Sequence, residues 1–254
     1  MSTTHPTGAS TTAAPRVAVV TGASGGIGRA TAHRLAADGL AVVVHHARGA
    51  DRAQEVVRAI TAAGGRALAA GADVSREQEV AALFDTAEAA FGGVDVVVNA
   101  AGTMPLAPVA ELDLAELDEV YRVNVRGTVA VSQQAVRRLR PGGALVNVSS
   151  STTRLQQPTY GAYVASKAAV EALTLVLARE VRGRDVTVNT VAPGPTATPL
   201  FLEGKDPALV ERIAAAAPLG RLGEPADVAE VVSFLAGPAR WVHGQVLHVN
   251  GGLA

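Results

Sequence analysis

No cysteine occurs anywhere in the 254 residues. That excludes disulfides, a thiolate nucleophile and Cys-ligated zinc, and it suits a reducing compartment, so the cytoplasm is the expected location. Long apolar runs are missing too. Although 48% of the chain is hydrophobic, the runs are short, as in Val17-Ala18-Val19-Val20 and Val94-Asp95-Val96-Val97-Val98, well below the length of a membrane span. Neither sign of charge dominates: 22 basic and 23 acidic residues intermix to a net charge of −1. No basic footprint marks a nucleic-acid or anionic-membrane partner. Residues 1–15 are rich in Thr, Ser, Ala and Pro and lack the charged start and apolar centre of a secretory signal. They read as a disordered tail, native or added as a leader, with one domain over residues 16–254.

What is present is a rhythm. Short Val- and Ala-rich runs at 16–21, 40–46, 66–70, 94–98, 143–148, 185–191 and 245–249 alternate with segments of helical periodicity at 26–38, 50–63, 76–90, 114–139, 160–181 and 224–236. Alternation of this kind implies parallel strands joined by right-handed crossovers. Because the strands are nearly continuous in apolar residues, both of their faces are expected to be covered. The predicted architecture is a Rossmann-type, doubly wound α/β fold with a seven-stranded parallel sheet and helices on both faces. Ligands in such sheets bind beyond the carboxyl ends of the strands.

The first strand runs directly into Thr21-Gly22-Ala23-Ser24-Gly25-Gly26-Ile27-Gly28, where a helix opens. Glycines let a backbone turn sharply and approach a pyrophosphate, whose charge meets free N–H groups at the helix N-terminus. Gly22, Ser24, Gly26, Ile27 and Gly28 are therefore candidate cofactor contacts. The second strand ends in Val44-His45-His46-Ala47-Arg48, with no carboxylate before Asp51. An acid there would bond a free ribose 2′-OH and repel a 2′-phosphate, whereas Arg48 offers a planar guanidinium to that phosphate. This favours NADP(H), with His46 as an additional candidate contact. Two histidines adjacent on a strand point to opposite faces, so no metal site is expected from them.

Tyr163-Val164-Ala165-Ser166-Lys167 lies in a long Ala-rich helical segment, where positions i and i+4 share a face. A nearby ammonium stabilises a phenolate and lowers its ordinary pKa, which makes the pair a plausible general acid. Ser149, Ser150 and Ser151 end the fifth strand just upstream. Tyr160 is a rival phenol, farther along the helix from Lys167.

Thr-Gly-x-x-x-Gly-x-Gly, the Ser-rich strand end and Tyr-x-x-x-Lys, in that order, resemble the short-chain dehydrogenase/reductase family, most nearly its 3-oxoacyl thioester reductases and related ketoreductases. The likeness extends from Arg16 to Ala254, including Gly244-Gln245-Val246-Leu247-His248-Val249-Asn250-Gly251-Gly252 near the end. It implies that Asp73 and Val74 contact adenine, and that Asn99, Ala100 and Gly102 form the turn that the family writes Asn-Asn-Ala-Gly, with Ala in place of the second Asn. The family's active-site Ser precedes its Tyr by thirteen positions, which selects Ser150. Asn124 corresponds to an Asn whose carbonyl holds a proton-relay water. Tyr163 and Lys167 contact the nicotinamide ribose, and Pro193, Gly194, Thr196 and Thr198 hold the nicotinamide and phosphates. Residues 193–218 form a lid, and the implied assembly is a homotetramer.

The activity implied is hydride transfer to a ketone, with Ser150 and Tyr163 bonding the developing alkoxide and Tyr163 giving the proton. Met104, Leu106, Leu155, Gln157, Tyr160, Leu200 and Phe201 are candidate pocket walls, mainly apolar, for a ketone of modest polarity. Two other readings stay open: an NAD-linked alcohol dehydrogenase, and a nucleotide-sensing protein that has lost catalysis and would be expected to lack the Tyr or the Lys.

Overall fold

Seven parallel strands, β1 (Val17–Thr21), β2 (Ala41–His46), β3 (Arg66–Gly71), β4 (Val94–Asn99), β5 (Leu139–Val148), β6 (Thr187–Pro193) and β7 (Val246–Val249), pair in the order β3-β2-β1-β4-β5-β6-β7. They come from a computed structural model that describes residues 15–254. The expected tail lies outside the described residues except for Pro15. Helices are α1 (Gly26–Ala37), α2 (Ala50–Ala62), α3 (Glu77–Phe91), α4 (Leu114–Val120), α5 (Gly127–Arg138), α6 (Thr152–Leu155), α7 (Gly161–Glu180), α8 (Pro199–Leu202), α9 (Pro207–Ala216) and α10 (Pro225–Ala236). Strand order reverses between β1 and β4, and that switch point opens a crevice at the strands' carboxyl ends.

The sheet divides two cores. Val42, Val44, Val96 and Val98 pack with Leu35 of α1, Val56 of α2 and Val232 of α10. Their neighbours Val43 and Val97 face the other way, onto Phe84 of α3, Val131 of α5 and Leu177 of α7. A strand with helices on both faces has no wet side, which is why its residues are apolar at every position rather than at alternate ones.

The segment expected as one helix over 114–139 is interrupted. Between α4 and α5 the chain widens into a π-helical turn over Tyr121–Arg126, with Gly127 N bonded back to Arg122 O. The cause is local packing. Fully buried Asn124 is pulled toward Thr103, and a Cβ on Gly127 would lie 2.8 Å from Val74 Cγ2. β5 also starts earlier than expected, at Leu139, because Leu139 pairs with Val94 ahead of a register shift in β4. By length and composition α7 is apolar enough to cross a membrane, contrary to the reading that no segment reaches that length. It is a core helix instead: Val170, Thr174 and Leu177 are buried, and it packs on β6.

Candidate active site

Three glycines shape the loop after β1. Gly22 and Gly26 hold left-handed φ values of +65° and +50°, and a Cβ on Gly28 would lie 2.4 Å from Gly22 O. Helix α1 opens on Gly25 with no side-chain cap and no acidic residue in its first turn, so its leading N–H groups are left for an anion. Thr21 Oγ1 donates to Asn99 Oδ1 at 3.0 Å and accepts from Ala100 N and Ala101 N, both at 3.0 Å. The turns after β1 and β4 are thereby locked together. The loop after β6 closes from above, with Thr198 Cγ2 3.2 Å from where a Gly26 Cβ would stand. This narrow cradle of N–H groups fits a dinucleotide pyrophosphate. Ser24, Ile27, Pro193, Gly194 and Thr196 line the cleft of which it is part.

Arg48 lies in the cleft wall, which also contains Arg29, His33 and Arg52, three basic residues that motif reading left out. Burial and Arg29 lower the His33 pKa. The expected contact His46 is replaced by its neighbour: the wall contains His45, while the His46 ring packs over Gly71, its cross-strand partner on β3. Period-two alternation puts the two on opposite faces, and it is His45 that faces the loop. Its Nδ1 accepts from Gly22 N at 3.2 Å and its Nε2 donates to Ala72 O at 2.9 Å. Burial holds His45 down to about 4, so the ring is neutral. Asp73 and Val74 line the cleft. Burial pushes the Asp73 carboxyl up, but bonds from Ser75 and Arg122 outweigh it and hold the group at about 2.

Hydrogen-bond direction separates the three serines. Ser149 Oγ donates to Glu171 Oε1 at 2.7 Å, and Ser151 Oγ donates to Ala192 O at 2.9 Å. Ser150 Oγ accepts from Thr152 N at 3.3 Å and shares a hydrogen bond with the Thr152 hydroxyl, Oγ to Oγ1, at 2.9 Å. A hydroxyl has one proton to give; those of Ser149 and Ser151 go to a carboxylate and a carbonyl of the fold, whereas Ser150 Oγ bonds neither kind of group. Tyr163, buried on α7, is its neighbour: burial pushes the phenol up to about 12 against a lowering bond from Ser150. Tyr160 meets Tyr163 edge-on at 6.5 Å between ring centroids and forms cleft wall.

Lys167 Nζ donates to Val148 O at 2.8 Å and lies 5.7 Å from the Tyr163 ring centroid. Burial lowers its pKa to about 8. The spacing led us to expect an ammonium that depresses the phenol; here one N–H of Lys167 goes to a strand carbonyl, and burial is the largest influence on Tyr163. Asn124 Oδ1 accepts from Thr103 N at 2.9 Å, while its Nδ2 donates to Thr103 O and Ser166 Oγ. Its main-chain carbonyl accepts from Thr128 Oγ1 at 2.7 Å. Asn124 and Asn99 thus support the cleft from behind and are absent from its wall.

The cleft encloses about 1090 Å³. Met104, Leu155, Gln157, Tyr160, Leu200 and Phe201 line its mouth, whereas Leu106 lies outside the wall and is partly exposed. The lid expected over 193–218 carries two helices, α8 and α9, and α9 adds Ile213 to the wall. Lys205 Nζ donates to Phe201 O at 2.6 Å and sits 4.6 Å from that ring's centroid, fastening α8 to the loop that follows it.

Comparison with known proteins matches this geometry. The family model described as enoyl-(acyl carrier protein) reductase covers residues 22–254. An NADPH-dependent aldehyde reductase-like chloroplast protein of Arabidopsis thaliana is 44% identical over 94% of each chain. Among solved structures, a dehydrogenase/reductase of Sinorhizobium meliloti superposes with a TM-score of 0.90 at 40% identity, covering 94% of this chain and 95% of that one. An angucycline C-6 ketoreductase with bound NADP does so with a TM-score of 0.88 at 37% identity, over 94% and 95%. With the glycine loop, the Ser-rich strand end and the Tyr163–Lys167 pair in their places, the chain belongs to the short-chain dehydrogenase/reductase family.

Proposed function

We propose that this chain is an NADPH-dependent reductase of a ketone of modest polarity. The observation that carries the reading is the pairing of two proton donors, Ser150 and Tyr163, at one point of a cleft that begins in a pyrophosphate cradle. Gly22, Ser24, Gly26, Ile27 and Gly28 would hold the dinucleotide phosphates, and Pro193, Gly194, Thr196 and Thr198 the nicotinamide end. When bound, the nicotinamide supplies a hydride. Ser150 and Tyr163 donate to the carbonyl oxygen and stabilise the charge that develops there. Tyr163, a phenol kept protonated by burial, gives up its proton to the alkoxide. Lys167, in the cleft wall beside it, orients the ribose, and Asn124 holds the Thr103 turn and the route to solvent protons. The apolar mouth formed by Met104, Leu155, Leu200, Phe201 and Ile213 excludes water and selects an apolar carbonyl compound. The aldehyde reductase-like and ketoreductase relatives support the same reaction class.

The preference for NADPH rests on Arg48, with Arg29, His33 and Arg52 beside it and no carboxylate at the end of β2. Arg48→Asp is expected to weaken NADPH use about 10- to 100-fold, the size of a lost charge-assisted bond, and to spare NADH. Steady-state rates with both nucleotides test this. A wild-type enzyme that uses NADH as well as NADPH overturns the NADPH assignment.

The same reading places a homotetramer in the cytoplasm. Support comes from apolar side chains left on the surface, among them fully exposed Trp241 and half-exposed Phe234 on the β7 side, which suggest further burial between copies. Light scattering is expected to return the mass of four chains; a monomer would refute it.

A further inference from the structure

The geometry points to Thr152 as the positioning residue that commits Ser150 to donating its proton into the cleft. This rests on the role proposed above for Ser150 and adds what makes that role possible. A serine hydroxyl rotates freely and can donate in several directions, while two acceptor sites remain on its oxygen. The Ser150 oxygen meets two groups of one residue that are able to donate to it. Thr152 N, which can only donate, lies 3.3 Å away, and Thr152 Oγ1 lies 2.9 Å away. The nearby main-chain acceptor is already occupied: Ser150 O accepts from Thr153 N and from Thr153 Oγ1. Thr153 Oγ1 lies equally close to Glu171 Oε1, at 3.0 Å, where Ser149 Oγ also donates.

With Thr152 donating, Ser150 is left with its proton for the cleft, where Tyr163 is its neighbour. In the opposite orientation, with Ser150 donating to Thr152 Oγ1, the substrate oxygen would face a lone pair instead of a proton. Thr152 sits half-buried in the cleft wall, at the first position of α6, so its main-chain N–H and its hydroxyl reach Ser150 together.

The test is a double-mutant cycle on the full chain with NADPH and a panel of β-ketoesters and aryl ketones, using the one the wild type reduces fastest. Thr152→Val keeps the shape and removes the hydroxyl. It is expected to lower kcat about 10-fold, a fraction of the cost of deleting an oxyanion donor, with KM, NADPH affinity and melting temperature unchanged. Thr152→Ser is expected to restore the rate. In a Ser150→Ala background, Thr152→Val should cost nothing further, because it acts through Ser150. Equal cost in both backgrounds, or no rescue by Ser, overturns the positioning role while the reductase reading stands. A wild type inert toward the whole panel overturns the reductase reading, and the role of Thr152 with it.

Discussion

Tyr163→Phe is expected to reduce kcat for carbonyl reduction by about 10³-fold or more, the combined weight of a lost general acid and a lost oxyanion donor. The substitution removes one oxygen and leaves the ring, which packs edge-on against Tyr160. NADPH affinity should therefore hold within about twofold, since the interaction lost is one made chiefly in the transition state. Burial pushes the phenol up to about 12, so at neutral pH it carries the proton that the proposed reduction gives up. Stopped-flow monitoring of NADPH oxidation, with separate titration of nucleotide binding, checks both halves. If Tyr163→Phe retains a tenth or more of the rate, the acid lies elsewhere, and Tyr160 in the same wall is the next candidate.

How much of this was legible from sequence follows from what each residue's role depends on. Val42, Val43 and Val44 announced a strand covered on both faces, because burial on two sides removes any need for alternation. The glycines of the phosphate loop were legible because the demand on them is made by backbone: positive φ at Gly22 and Gly26, and contact with a carbonyl at Gly28. Spacing along α7 likewise brought Tyr163 and Lys167 together.

Roles set by direction were not legible. Nothing in Ser-Ser-Ser says which hydroxyl has its proton free; that depends on Glu171, Ala192 and Thr152, each supplied by a different part of the fold or turn. Spacing likewise told how near Lys167 is to Tyr163 and not that its ammonium turns to Val148 O. The break in the long helix at Asn124 was hidden for the same reason, since it answers to Thr103 and Val74, which lie elsewhere in the sequence. His45 and His46 show the limit most plainly. Alternation says they point apart, but only the packing of β2 decides which one meets the loop.

That packing makes His45 a buried group whose protonation the fold resists. Its Nδ1 must be bare to accept from Gly22 N, and its Nε2 carries the proton given to Ala72 O. One ring thus joins the phosphate loop to the turn that precedes Asp73. The causes of its low pKa are burial first, then the neighbouring His46, against raising contributions from Ala72 O and Asp73. With about 4 in the folded chain and 6.5 as the reference, the unfolded chain binds the proton first as pH falls. Stability from this group is complete above about pH 6.5 and is lost as pH falls toward 4. The whole loss is about 3 kcal/mol, and about 2 kcal/mol of it falls between pH 7 and pH 5. Urea unfolding at those two pH values measures it. His33 and His248 are also lowered and add to the slope in the same direction, so the informative quantity is the difference from His45→Gln. That variant keeps an amide donor in place of the ring, lacks the titrating nitrogen, and is expected to be less stable at pH 7 but to lose about 2 kcal/mol less on acidification. Parallel acid losses in the two proteins would show that His45 is not the group being titrated.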